Sequence, residues 1–422
     1  MKRSIRLTAV MAGATVIAAL AAGCSAPADS GDGKVTLTFW GSYGNGGNSA
    51  QQDVLNKTLI PAFEKAHPGV TVDYVDVPYD DLLKKLTTSA AGDQLPDLVR
   101  ADLGWVPRFA DLGVLVPLSD EMDDFQTYAD AVYPGVLSTN LYNGKYYGLP
   151  LDTNTRVLIT SQQALDAAGL SAPPATFADL EAEASTLAGG DMRLFGDGGL
   201  GAWNLMPWIW SGGGDITNAD QTVSTGYLDS AANVKTLEML IGLYKNGQIG
   251  SGIIGNAGEV STSDGLPGGS YANIFDGPWM NGIWADQFPD FTPIYAPIPA
   301  GDGGSISVVG GEDIVLTASS QHQKEAMDFI RFTQSEEFQL ALVPTGQLTV
   351  VQALGDKQVE LVPYYKVFTD QLATARARLA ITQGSEVDQV LNTELVPAFE
   401  GTISAKDALS NAAAKIDDLL KG

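Results

Sequence analysis

Residues 35–113 alternate between two hydrophobic periods, and no other feature restricts the possible folds as much. Val35-Thr36-Leu37-Thr38-Phe39-Trp40 is a short β-branched and aromatic run of the kind that forms a buried strand. A glycine-rich loop, 41–48, follows. Residues 52–66 then place Val54, Leu55, Leu59, Ala62 and Phe63 on one helical face. His67-Pro68-Gly69 stops that helix, and 70–77 alternates as a second strand. Residues 82–91 are helical again, Asp97-Leu98-Val99 is a third strand, and a helix from Val106 ends at Gly113. Strand, helix, strand, helix, strand predicts a parallel sheet covered by helices.

Beyond Tyr146 the pattern changes. Residues 148–161 read as an extended segment that leaves one lobe for another, and Pro173-Pro174 turns the chain into a helix over 177–187. Residues 189–201 read as a glycine-rich loop, 203–210 as an aromatic helix start and 231–244 as an amphipathic helix. Prolines and glycines return over 295–302, before strand-like Val308-Val309 and 314–316, which suggests a second crossing. Helices are predicted over 323–333 and 335–343, with a mostly helical tail over 364–420. The expected class is α/β, with two lobes, each a mixed or mostly parallel sheet flanked by helices, joined by a hinge. The expected division is 35–147 plus 303–350 for the N-terminal lobe and 148–302 plus 351–422 for the C-terminal lobe.

The amino terminus carries an address. Lys2, Arg3 and Arg6 precede an uncharged stretch from Leu7 to Ala22, the order of a secretory signal peptide over 1–23. That stretch is shorter than the ~20 residues that span a bilayer. Leu20-Ala21-Ala22-Gly23-Cys24 resembles the bacterial lipobox, which implies cleavage before Cys24 and lipidation of it; residues 24–34 read as a flexible tether. Cys24 is the only cysteine, so no intramolecular disulfide can brace the mature chain and core packing must stabilise it. With 24 basic and 50 acidic residues the formal net charge is −26, which makes nucleic acid a poor partner because binding it needs clustered Lys and Arg.

Several motifs stand in one order along the mature chain. They are 63–72 (Phe-Glu-Lys-Ala-His-Pro-Gly-Val-Thr-Val), the Pro96-Asp97 turn within 91–99, Leu112 to Leu118, Tyr146-Tyr147-Gly148-Leu149-Pro150-Leu151, Phe275-Asp276-Gly277-Pro278-Trp279 and Gly310-Gly311-Glu312. Together they resemble the extracellular solute-binding proteins of family 1, the carbohydrate-binding lipoproteins of ABC importers. The resemblance implies a two-lobed periplasmic-binding-protein fold, type II-like, with a hinged cleft. It also implies a monomer on the outer face of the cytoplasmic membrane that passes an oligosaccharide to ABC permease subunits, and the several candidate aromatic platforms favour a di- to tetrasaccharide. No cofactor and no metal are expected.

A sugar presents apolar C–H faces and a rim of hydroxyls, so its site needs aromatic rings and planar polar groups. By the resemblance, Trp279 after Gly277-Pro278 and Trp203 are stacking platforms, Asp152 accepts hydroxyl hydrogen bonds, and Ser42, Tyr43 and Asn45 occupy a further family position. The lesser alternatives are a core position for Trp279 and a solvated hinge carboxylate for Asp152. Asp102 and Trp105 lie at a strand's carboxyl end, where α/β sheets place ligands. Glu312 could reach the cleft from the return segment. Trp40 reads evenly as core or cleft floor, and at least one of Trp208 and Trp210 as core. Asn154 and Arg156 are weaker candidates, because alternation turns one of two neighbours away.

Catalytic patterns are poor. His67 and His322 read as surface residues, and neither a zinc cluster nor a GxSxG elbow is present. Residues 196–201 match GxGxxG but follow no convincing strand. A glycoside hydrolase using a pair such as Asp152 and Glu312, or the same fold binding a polyol, glycerol phosphate or peptide, are the alternatives. A phosphate would need a cation, and Arg156 is the candidate.

Overall fold

The computed structural model describes residues 34–44, 49–92 and 94–421. The expected signal peptide, Cys24, all of the tether but Lys34, and Asn45 lie outside the described residues. Among the described residues eleven strands run in chain order: β1 Val35–Gly41, β2 Val70–Asp76, β3 Leu98–Asp102, β4 Leu141–Tyr142, β5 Lys145–Tyr146, β6 Gly148–Thr155, β7 Val157–Ser161, β8 Arg193–Gly196, β9 Tyr271–Asp276, β10 Pro293–Ala296 and β11 Val309–Leu316. They form a five-stranded sheet of order β2-β1-β3-β11-β6, a four-stranded sheet of order β10-β7-β9-β8, and the small β4-β5 pair.

The predicted parallel unit holds for β1 with β2 and β1 with β3. The returning strand β11 is antiparallel to both of its neighbours, β3 and β6. The second sheet is mixed as well: β7 pairs antiparallel with β9 and β10, while β8 and β9 are parallel. Alternation along each strand feeds two cores. In β3, Leu98 joins Phe39, Phe63 and Phe329 on one face, while Val99 and Ala101 join Leu82 and Val106 on the other. In β7, Leu158 packs with Phe195, Trp208 and Phe275, and Val157 and Ile159 with Trp284 and Phe368. Sheets covered on both faces read as continuous apolar runs, which is why these strands were visible in the sequence.

The strand pairing runs across the expected division at residue 148. β6 is bonded throughout to β11 in the first sheet, and the chain passes to the second sheet between Thr155 and Val157. The return is later too, since Val308 still packs with the second sheet's core and β11 begins at Val309. Residues 148–161 form one uninterrupted extended run, and alternation cannot tell which sheet each half joins.

Local chemistry sets the helix ends. Thr176 and Asp179 exchange hydrogen bonds, Asp179 N to Thr176 Oγ1 at 3.1 Å and Thr176 N to Asp179 Oδ2 at 3.0 Å, which starts the helix Phe177–Leu187 where Pro173-Pro174 ends. The helix predicted over 52–66 contains one wider turn, Leu55–Leu59, just ahead of Pro61, which has no N–H to offer the preceding turn. Residues 193–196, expected within a loop, form β8; four residues between glycines give too short a signal. Among the described residues no helix is long and apolar enough to cross a membrane.

Candidate functional site

A cavity of about 480 Å³ lies between the two sheets, lined by Ser42, Arg100, Asp102, Asn154 and Glu312 from the first and by Trp203 and Trp279 from the second. The register across the first sheet builds its acidic wall. Asp102 of β3 is the partner of Glu312 in β11, and Glu312 is the partner of Asp152 in β6, so three carboxylates stand in one transverse row. Like charges placed directly opposite destabilise a sheet unless something neutralises them. Arg100, two residues before Asp102 and so on the same face of β3, does this.

Its guanidinium meets three partners. Nε and Nη2 donate to Asp152 Oδ2 at 3.4 and 3.3 Å, Nη1 donates to Ser42 Oγ at 3.2 Å, and Nη2 lies 2.8 Å from Glu312 Oε2. The Tyr43 ring lies 4.5 Å from the guanidinium carbon. Burial opposes the Arg100 charge, but Glu312 and Asp152 outweigh it and keep the pKa above its usual value. Burial pushes the Glu312 carboxyl well up; Arg100 pulls it part of the way back, and Asp152 pushes it up again.

Asp102 is held from three directions. Tyr79 donates its hydroxyl to Oδ2 at 2.7 Å, Gly104 N donates to Oδ1 at 2.8 Å, and Arg378 Nη2 donates to Oδ1 at 2.8 Å. Arg378 arrives from the C-terminal segment whose neighbours Leu379 and Ile381 pack with the second sheet's core, so this ion pair crosses the cleft. Arg108 and Glu386 make a second, more exposed crossing pair at 3.2 Å. Beside Asp102, Arg378 and Asp388, a small pocket of about 50 Å³ is walled by Trp105, Met206, Trp210 and Ile216.

The aromatic wall comes from the helix Ala202–Ser211 and from the turn that follows β9. The Trp203 and Trp279 rings are 6.1 Å apart, 31° from parallel, and both are half-buried. Glycines let them sit there. A Cβ on Gly310 would stand 2.6 Å from the Trp203 ring, and one on Gly277 would stand 2.0 Å from the Trp279 ring. The turn Gly277-Pro278 therefore folds the Trp279 ring back over its own backbone, where it also touches the core around Trp284 and Tyr365. Arg156 does not reach the cavity: it donates to the carbonyls of Phe275 and Trp203, with Nη1 to Trp203 O at 3.0 Å.

The expected residues therefore separate. Ser42, Asp102, Asn154, Trp203, Trp279 and Glu312 line the cavity, and Asp152 stands behind it as a partner of Arg100. Tyr43 is fully buried among Phe39 and Tyr74 and is a core residue. Trp40 packs on the far face of the first sheet under Lys85, and Trp105 stacks on Tyr79 in the same cluster, lining only the small pocket. Trp208 and Trp210 are both buried. Arg100, Tyr79, Gln347, Arg378 and Asp388 were missed. Arg100 was legible as the same-face neighbour of Asp102; Arg378 and Asp388 lie in the helical tail, where no local pattern marks them.

The GxGxxG run does follow a strand and opens the helix Ala202–Ser211. The amides at its start are already taken: Asp388 Oδ1 accepts from Ala202 N at 2.7 Å and Asn392 Oδ1 from Leu200 N at 2.9 Å. A carboxylate of the chain itself stands where a bound phosphate would.

Two α/β lobes that exchange strands across a tryptophan-edged cavity define the two-domain class of ligand receptors. Residues 41–340 match the bacterial extracellular solute-binding proteins, and the chain belongs to that family. A putative binding protein of Brucella abortus is 25% identical, over 98% of this chain and 98% of its own. An uncharacterized lipoprotein of Streptomyces antibioticus is 28% identical, over 83% of this chain and 78% of its own. Among solved structures, the cyclic alpha-maltosyl-1,6-maltose binding protein of Arthrobacter globiformis superposes with a TM-score of 0.77, at 25% identity, over 92% of this chain and 99% of that one.

Proposed function

We propose that this protein is the oligosaccharide receptor of an ABC importer, which captures a sugar of two to four units in the cavity and delivers it to a membrane permease. The observation that carries the reading is the pairing of two walls. Trp203 and Trp279 offer near-parallel faces to C–H surfaces, and the opposite wall offers Asp102, Glu312 and the Asn154 amide to hydroxyls. The volume falls within the ~300–1,000 Å³ of small-molecule sites. The maltose-type ligand named for the Arthrobacter protein is in keeping with that chemistry.

Binding without turnover belongs to the same proposal. A retaining glycosidase holds its two carboxyl groups about 5 Å apart across the scissile bond. Asp152 and Glu312 instead converge on one guanidinium, and Asp152 is 2% exposed. A thermal-shift screen over α- and β-linked gluco-, xylo- and manno-oligosaccharides should find sugars that raise the melting temperature by mass action, and these should be recovered intact after long incubation. No stabilising sugar at millimolar concentration, or product accumulating with added protein, would sink the reading.

The lipid anchor at Cys24 is proposed on the lipobox-like sequence, and the lipoprotein from Streptomyces is consistent with it. Cys24→Ala should leave the precursor uncleaved or release the protein to the medium. Quantitative membrane retention of a cleaved Cys24→Ala protein would refute lipidation.

A further inference from the structure

We infer that the cleft selects its sugar by charge: it rejects acidic sugars and prefers an amine to a hydroxyl where the ligand faces Glu312. This rests on the receptor reading above and narrows its ligand class. Three carboxylates, Asp102, Glu312 and Asp388, line the cavity and Asp152 stands directly behind it, whereas Arg100 and Arg378 are the two cations among the described lining residues. Four acids against two guanidiniums leave a formal excess of two negative charges.

Both cations already face carboxylates of the chain. Arg100 spends its donors on Asp152, Glu312 and Ser42. Arg378 pairs with Asp102 and is influenced by Asp388 as well. Its Nε is buried without a partner, and one hydroxyl oxygen satisfies a single N–H. Arg156, the cation that sequence offered for a phosphate, is committed to backbone carbonyls. A carboxylate or phosphate entering here would lose its water and meet acids that are already paired.

Acceptors, in contrast, are left over. Asn154 is 5% exposed, lines the cavity, and gives its amide N–H to Gln347 at 3.2 Å, which leaves Oδ1 buried and unpartnered. Among the described ion pairs, Arg100 is the one cation that meets Glu312, at 2.8 Å from Oε2. An ammonium supplies three donors and a positive charge, where a hydroxyl supplies one donor and none. The wall of acids with too few donors is therefore better matched by the amine.

The test is calorimetric titration with six trimers: α-1,4- and β-1,4-linked glucose, glucosamine and glucuronate. In the linkage series that binds, the glucosamine trimer should bind at least tenfold tighter than the glucose trimer, and the glucuronate trimer at least tenfold weaker. Glu312→Gln should weaken the glucosamine trimer at least tenfold more than it weakens the glucose trimer, a selective loss that a merely structural Glu312 would not produce. Glucuronate binding as tight as glucose, or an amine advantage that survives Glu312→Gln, overturns the inference while the receptor reading stands. Silence from all six trimers also overturns it, and the wider oligosaccharide screen then decides the receptor reading separately.

Discussion

Arg100→Leu should destabilise the folded protein by about 3–5 kcal/mol, the usual consequence of leaving a buried charge without its partner. Arg100 is 3% exposed and neutralises Asp152 and Glu312 at once, while its plane covers the Tyr43 ring. Leucine replaces the apolar stem and removes every one of these contacts. Two carboxyls would then share a buried wall with no cation between them, and both would have to take up protons or water. Urea unfolding should show a lower midpoint with an unchanged m-value. The triple variant Arg100→Leu, Asp152→Asn, Glu312→Gln should recover most of the loss, because the charges that Arg100 neutralises are gone. A single-variant loss below 1 kcal/mol would mean that the row is already protonated or solvated, and that Arg100 is not its counter-ion.

Trp203→Ala and Trp279→Ala should each weaken sugar binding by about 2 kcal/mol or more, roughly thirtyfold, as truncation of an aromatic anchor does. The two rings differ in what else they lose. Trp279 also touches the core around Trp284, so its variant should melt a few degrees lower, in line with ~1 kcal/mol in a domain of this size. Trp203 lies between the guanidinium of Arg378, 5.8 Å from its ring, and Gly310 of β11, so its removal opens the cleft on both sides. Trp208 provides the contrast: it is 2% exposed and packs on Phe195 and Phe275. Trp208→Ala should cost ~3–5 kcal/mol of folding stability and leave the affinity of the folded fraction unchanged. If the Trp203 and Trp279 variants behave like Trp208→Ala, neither ring belongs to the site.

Residues 35–113 were legible because each element is long enough to show its period and is bounded by turn residues such as His67-Pro68-Gly69. Asp102, Asp152 and Glu312 were legible for different reasons: the first by its place at a strand end, the second by family position and the third by its place on the return segment. Their convergence was not, since the register that aligns them joins residues more than 150 positions apart. Tyr43, Trp40 and Trp105 show the converse. Each stands next to the cavity in sequence, but a side chain's direction at a strand end depends on twist and on which helix covers it. For Arg378, the partner of Asp102 lies 276 residues away, and only the assembled lobes bring the two together.

The position of β11 also fixes the order in which the molecule can assemble. It lies between β3 and β6, yet it is made after the whole excursion through β7 to β10. A growing or threading chain holds β3 and β6 as two unpaired edges until residue 316 is available, and Leu98 must then find Leu316 across more than 200 residues. Loop closure of that length slows folding, and open strand edges attract other chains in the meantime. The first sheet therefore completes late. The last strand to arrive is the one that closes the middle.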